Sequence, residues 1–182
     1  MKKETSEQFK QVSSECEKIF LAKMSDYGSA WRVFRTSSLT DQIYIKANRI
    51  RTIQTKGNHL VEEGIEGEFQ GIFNYAVMAI IQIRIGTAEK PDLGLETALE
   101  LYRKIVSDAR ELMNRKNHDY DEAWRNMRVS SLTDIILVKL LRIKQIEDNQ
   151  GSTSVSEGID ANFFDIMNYA VFALILLSNR IV

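Results

Sequence analysis

The chain has 182 residues, with 24 Lys and Arg against 25 Asp and Glu, a net charge of −1 and 44% apolar residues. That is the composition of an ordinary soluble globular protein with one sizeable core or two small ones, and it excludes a long basic surface for nucleic acid. The single cysteine, Cys16, cannot close an internal disulfide, which fits a reducing cytoplasm.

The first eight residues, Met-Lys-Lys-Glu-Thr-Ser-Glu-Gln, contain no apolar run, so no secretory signal is expected. One proline, Pro91, in the whole chain points to long uninterrupted helices. Phe9, Val12, Cys16, Ile19 and Phe20 recur at three and four and predict a first helix over 6–24. A turn with Asp26-Tyr27 and Ala30-Trp31-Arg32 follows. Ser38 and Asp41 resemble a capping box opening a second helix. After the Lys56-Gly57-Asn58 loop, a third helix starts near Glu63-Gly64-Ile65 and runs into the apolar stretch 73–85. A connection over 86–94 leads to a fourth helix over 95–116, marked by Ala98, Leu101, Ile105, Ala109 and Leu112. A second turn carries Asp119-Tyr120 and Ala123-Trp124-Arg125. Ser131 with Asp134 caps the fifth helix, and Ser154 with Glu157 caps the sixth, which holds the apolar run 163–177. Both apolar runs fall short of the roughly 20 residues a membrane span needs. They read as core helices, and no membrane association is expected.

The order of elements repeats because the sequence does. At an offset of 93, fifteen of the twenty-five positions from 26 to 50 recur identically, among them Lys46, Arg49 and Ile50 as Lys139, Arg142 and Ile143. At an offset of 94, Glu63-Gly64-Ile65 and Asn74-Tyr75-Ala76-Val77 return as Glu157-Gly158-Ile159 and Asn168-Tyr169-Ala170-Val171. A long period seen twice is a duplicated module, not a solenoid. The fold class is therefore all-α: a duplicated three-helix module, with copies at 1–88 and 89–182 packed together as one pseudo-twofold helical bundle.

Chemistry concentrates on the sixth helix. Glu157, Asp160, Asp165 and Asn168 share a stripe about 140° wide. Carboxylates grouped at the end of a core helix repel one another, and Mg²⁺ with its preference for carboxylate oxygens would resolve that. The alternative is that Glu157 and Asp160 complement the helix dipole while Asn168 hydrogen-bonds within the core. The first copy keeps Glu63, Glu66 and Asn74, places Gly71 where Asp165 stands, and adds Glu62 and Glu68. Lys139 and Arg142, with Lys46 and Arg49, stand at fixed spacing on the second helix of each copy. Arg125 and Arg128, with Arg32 and Arg35, lie upstream, and Lys116 and Lys23 precede each Asp-Tyr. Such cations suit phosphate oxygens bridged by metal, or else an internal ion-pair network such as Lys139 to Asp165. Trp31, Trp124 and the tyrosines could stack on a base or pack in the core. His118, present only in the second copy, is an acid-base candidate. No phosphate-binding glycine loop, dinucleotide fingerprint or zinc pattern is present.

Lys-x-x-Asp-Tyr-x-x-Ala-Trp and Lys-x-x-Arg-Ile, found in both copies, and Glu-x-x-Asp…Asp-x-x-Asn-Tyr-Ala, complete in the second, resemble the bacterial and phage family of the nucleotide modification associated domain, type one, and the resemblance covers almost the whole chain, once per copy. Phage members resembling a single copy make this chain look like a fused pair. The helix-borne acids are also similar to those of the all-α nucleoside triphosphate pyrophosphohydrolases of the MazG type. That resemblance implies Mg²⁺ held by Glu157, Asp160 and Asp165, with Asn168 beside them. It further implies phosphate held by Lys139 and Arg142, and a base pocket lined by Tyr120 and Trp124. Glu62, Glu63 and Glu66 match the Glu-Glu-x-x-Glu signature of those enzymes in the first copy. The later Glu-x-x-Asp pair has no clear match. The expected function is binding of a nucleotide or nucleoside phosphate with Mg²⁺ and its hydrolysis by a metal-activated water, centred on the second copy. A non-catalytic helical assembly module is the alternative. Nucleic acid is not an expected partner, and a homodimer is the oligomer this reading allows.

Overall fold

The computed structural model describes residues 2–56, 64–152 and 157–179, with side chains from Thr5 onward. Six α-helices carry the fold: α1 (Lys2–Tyr27), α2 (Thr36–Lys56), α3 (Ile65–Ile85), α4 (Leu95–Tyr120), α5 (Val129–Asp148) and α6 (Ile159–Ser178). Short 3-10 turns at Ala30–Val33 and Ala123–Asn126 carry Trp31 and Trp124. The described residues contain no strand.

Each helix packs against its own counterpart: α1 on α4, α2 on α5, α3 on α6. A twofold relation accounts for that arrangement and for the reciprocal contacts of α1 with α6 and α3 with α4 across the axis. α3 and α6 are the most apolar helices and form the centre of the bundle. Phe69, Ile72, Phe73, Ile80 and Ile81 of α3 and Phe163, Ile166, Met167 and Val171 of α6 are fully buried. α6 is long and apolar enough to cross a membrane by composition, but most of it is buried inside the bundle. A polar pair repeats across the axis. Thr40 Oγ1 lies 2.9 Å from Glu147 Oε1, and the Gln54 amide donates to Thr133 Oγ1 at 3.1 Å, Gln54 and Glu147 being counterparts.

The boundaries differ from the sequence reading in two instructive ways. Asp26-Tyr27 and Asp119-Tyr120 are the last residues of α1 and α4, not parts of the turns. α1 ends because Gly28 adopts φ +58° and its N–H bonds back to Met24 at 2.9 Å, a left-handed helix stop that glycine makes without strain. The α4 stop has no glycine. Asp121 and Glu122 take positive φ themselves, and Glu122 is held there by hydrogen bonds from Thr5 and from Arg125, the latter at 2.6 Å. The capping boxes at Ser38 and Ser131 do not form, because α2 and α5 start earlier, at Thr36 and Val129. Ser154 lies outside the described residues.

Thr40 and Thr133 both donate their hydroxyl protons to the carbonyl four residues back, each at 3.1 Å. Opposite Thr133 the Gln54 amide supplies the proton for the cross-copy bond; opposite Thr40 the partner is the Glu147 carboxylate, which accepts from the hydroxyl at 2.9 Å. Burial raises the Glu147 pKa above its ordinary 4.5 against the Thr40 hydrogen bond and Lys144, with the charges of Asp41 and Asp148 acting in the same sense as burial. Above 4.5 the unfolded chain releases a proton that the native state retains, so stability falls as pH rises through the folded value. Glu147→Gln, copying Gln54, is expected to raise the unfolding midpoint at pH 8 by about 2 °C. The two proteins should converge below pH 4. Parallel midpoints across that range, measured by thermal denaturation, would contradict this account.

Candidate functional site

In the second copy the acid on α6 is neutralised from within. Asp165 is 5% exposed. Lys116 of α4 donates to its Oδ1 at 2.5 Å and Lys139 of α5 to its Oδ2 at 2.7 Å. Burial works against the charge on Lys116, but the hydrogen bond and charge of Asp165, with Tyr169 and Glu157 behind, hold its pKa above the ordinary lysine value. Close by, Trp124 lies flat on Phe172, ring centroids 4.2 Å apart and planes within 4°. The Arg125 guanidinium sits 4.5 Å from the indole centroid and is tied to Glu122, Thr5 and Gln8. These contacts put the protein's own side chains between α4, α5 and α6. Trp124 Nε1 and both amide atoms of Asn168 are buried with no hydrogen-bond partner among the described residues.

The first copy uses the same frame differently. Its buried acid is Glu68, one turn earlier on α3, bonded by Lys46 at 3.2 Å and by Arg49. Gly71 occupies the Asp165 position, and Lys46 lies across it: a Cβ there would come 2.7 Å from Lys46 Cε. Lys23, the counterpart of Lys116, is exposed and makes no ion pair with any described residue. A cavity of about 320 Å³ opens beside these groups, lined by Ile19, Phe20, Lys23, Met24, Tyr27, Trp31, Phe34, Lys46, Asn74, Tyr75 and Met78. Gly67 and Gly71 form part of its wall, where the second copy has Ala161 and Asp165. Met78 replaces Phe172, and among the described residues no ring stacks flat on Trp31. Its indole N–H meets Met24 Sδ at 3.3 Å, and Phe20 is tilted against it at 6.3 Å.

The polar wall is fixed from behind. Asn74 donates to the Cys16 carbonyl at 3.0 Å and accepts from the Tyr102 hydroxyl at 2.8 Å. The Trp31 turn is held by Arg32, which reaches Asp92 at 2.9 Å, the Gly86 carbonyl at 2.6 Å, and Gln82. Gln82 in turn donates to the carbonyls of Arg32 at 2.8 Å and Phe34 at 2.7 Å. Burial pushes the Cys16 thiol up to about 12, so it stays protonated and unreactive.

The residues expected to hold metal are not brought together. Glu157 and Asp160 are exposed at the start of α6, and Glu66 is exposed at the start of α3, in a separate cleft with Gln8 and Glu15. Asp165 is clamped by two ammonium groups and Asn168 is buried. Glu62 and Glu63 lie outside the described residues. Among the described residues no three His, Cys, Asp or Glu side chains are placed to hold a metal ion. Of the expected phosphate ligands, Lys116 and Lys139 are engaged by Asp165, Lys46 and Arg49 by Glu68, and Arg125 by Glu122, while Arg128 and Arg142 are exposed. Of the expected base pocket, Trp124 is buried against Phe172 and Tyr120 is 72% exposed. His118 is exposed beside Asp119. Gly67, Gly71 and Met78, which create the open space, were not among the expected site residues. Gly71 against Asp165 was the available signal, but a missing acid reads from sequence as a lost site.

The chain belongs to the family of nucleotide modification associated domain 1, whose model matches residues 23–83 and 116–177, more than half of the chain. The two segments begin at Lys23 and Lys116 and include Trp31, Lys46, Gly71, Tyr75, Met78 and their counterparts. No curated protein and no solved structure matches the chain.

Asp165→Asn keeps the shape of the side chain and removes the charge that two lysines share. It is expected to lower stability by about 1.5–3 kcal/mol, the worth of hydrogen bonds to a charged group. Chemical denaturation followed by far-ultraviolet circular dichroism measures this. An unchanged or higher stability would show the carboxylate to be under repulsion instead.

Proposed function

We propose that the first copy binds a nucleotide or nucleoside phosphate in the cavity between α1, α2 and α3. The observation that carries the reading is a space of about 320 Å³ walled by Trp31, Tyr27 and Tyr75, with Lys23 and Lys46 on the same wall. That volume lies at the lower end of the range for small-ligand sites, in which apolar walls with a few placed polar groups are the usual lining. A planar base gains dispersion and quadrupolar contact from aromatic side chains. Lysine ammonium groups meet phosphate oxygens as compact point charges. The family description supports nucleotide chemistry in the same direction.

Metal does not enter this proposal. None of the described carboxylates lines the cavity, and the single acid beside it, Glu68, already serves Lys46 and Arg49. The reading is therefore one of binding, with Lys23 and Lys46 orienting the phosphate and the rings fixing the base. The second copy, closed by Trp124 on Phe172 and Asp165 on its lysines, acts as scaffold.

A panel of nucleosides and their mono- and triphosphates, titrated calorimetrically and by tryptophan fluorescence without divalent cations, tests this. Phosphorylated members are expected to bind and quench, and nucleosides to bind more weakly. Lys23→Ala should weaken binding roughly tenfold, equivalent to about 1.4 kcal/mol. Met78→Phe, which copies Phe172, should fill the cavity and abolish binding while the helical content is retained. Absence of binding by every member, or binding indifferent to Met78→Phe, would overturn the proposal.

A further inference from the structure

The two copies place the same pair of lysines beside the same helix position, and only one copy has a carboxylate there. In the second copy the carboxylate of Asp165 bridges Lys116 and Lys139 at 2.5 and 2.7 Å. In the first, the pair is Lys23 and Lys46, the bridging residue is Gly71, and the cavity opens onto that position. We infer that Asp165 is a tethered stand-in for a ligand's anionic group, and that residue 71 decides whether a copy accepts a terminal phosphate: glycine admits it, aspartate supplies its own anion in its place. The inference rests on the cavity being a phosphate site and names the point at which the phosphate sits.

Charge balance supports this. Around Asp165 two lysines face one carboxylate, leaving a formal charge of +1. At the matching point of the first copy, Lys23 and Lys46 face glycine in place of a carboxylate, and Lys46 turns to Glu68. A phosphate monoester brings about −1.5 to −2 at neutral pH, a charge that suits two ammonium groups. Geometry agrees with charge. Lys46 reaches Glu68 at 3.2 Å, at the long end for a charged hydrogen bond. Its stem lies over Gly71, so its ammonium can turn to a phosphate there while Arg49 remains on Glu68. A side chain at residue 71 need displace only the flexible end of Lys46, so substitution tests charge and space without breaking the core.

Phenyl phosphate, a minimal ring with one terminal phosphate, serves as probe beside the nucleotide panel, with phenol as its uncharged control. Wild-type protein is expected to bind one phenyl phosphate per chain and phenol far more weakly. Gly71→Asp should lose phenyl phosphate at least roughly tenfold, about 1.4 kcal/mol, relative to Gly71→Asn, which has the same shape and no charge. Asp165→Gly combined with Phe172→Met should raise the stoichiometry from one to two. Equal affinity of Gly71→Asp and Gly71→Asn overturns the inference even if nucleotides bind, and so does a folded Asp165→Gly/Phe172→Met protein that stays at one site. If that double variant does not fold, the Gly71 pair decides alone. Phenyl phosphate binding that follows residue 71 while no nucleotide binds overturns the nucleotide reading and leaves the inference standing. Binding of neither overturns both.

Discussion

Each copy buries a carboxylate on its third helix, Glu68 on α3 and Asp165 on α6, and a buried carboxylate must be met by cations. That requirement organises the molecule. Removing a charge from water costs several kcal/mol unless hydrogen-bonded counter-charges replace the solvent. Asp165 meets the requirement with Lys116 and Lys139 and Glu68 with Lys46 and Arg49, each bringing the third helix of its copy against the second. The lysine on the second helix is common to both. The difference is the level of the acid, one helical turn apart on α3 and α6. Moving the acid from the level of residue 71 to residue 68 draws Lys46 along with it, leaves Lys23 without a carboxylate, and leaves space where a side chain had been.

Twofold packing makes such divergence possible at tolerable cost. Because α3 and α6 bury their most apolar faces against each other, the outer end of either helix can change without opening the centre. The first copy has kept its polar contacts satisfied. Asn74 has the Cys16 carbonyl and the Tyr102 hydroxyl, Trp31 has Met24, and Gln82 holds three carbonyls of its turn. For the second copy the counterpart of Tyr102 is Phe9 of the first, that of Met24 is Asn117, and that of Gln82 is Leu176. Asn168 and Trp124 Nε1 have no hydrogen-bond partner among the described residues. An unpaired buried polar group costs about 1–3 kcal/mol. The offsetting gains are visible beside them, in the Trp124–Phe172 stack and the doubly bonded Asp165.

Much of this was legible in the sequence. Helices follow from a period near 3.6 and one proline, and the duplication from fifteen identities in twenty-five positions. The Lys139–Asp165 pair was legible as an alternative to metal binding, because a lysine on one core helix and an aspartate inside an apolar run on another have few other ways to be satisfied. Helix ends were less so. Gly28 marks one stop, but Asp121 and Glu122 reach the same left-handed backbone through tertiary contacts to Thr5 and Arg125, which local propensity does not encode. The cavity in the first copy was not legible at all. Reading Gly71 as an absent acid ignores that the missing side chain is also missing volume, and volume appears only once Lys46, Trp31 and Met78 are placed around it.

One frame in two copies shows what a few substitutions do to it. A copy that answers its own lysines with its own aspartate has an anion at that point built in. With glycine at the aspartate position and Met in place of Phe at the Trp face, the same frame encloses a cavity of about 320 Å³ beside Lys23 and Lys46. Lys46 then follows the acid to Glu68, while Lys23 stays on the cavity lining. The α3–α6 contact packs the filled half against the open one, so the difference between the copies is accommodated around one shared core.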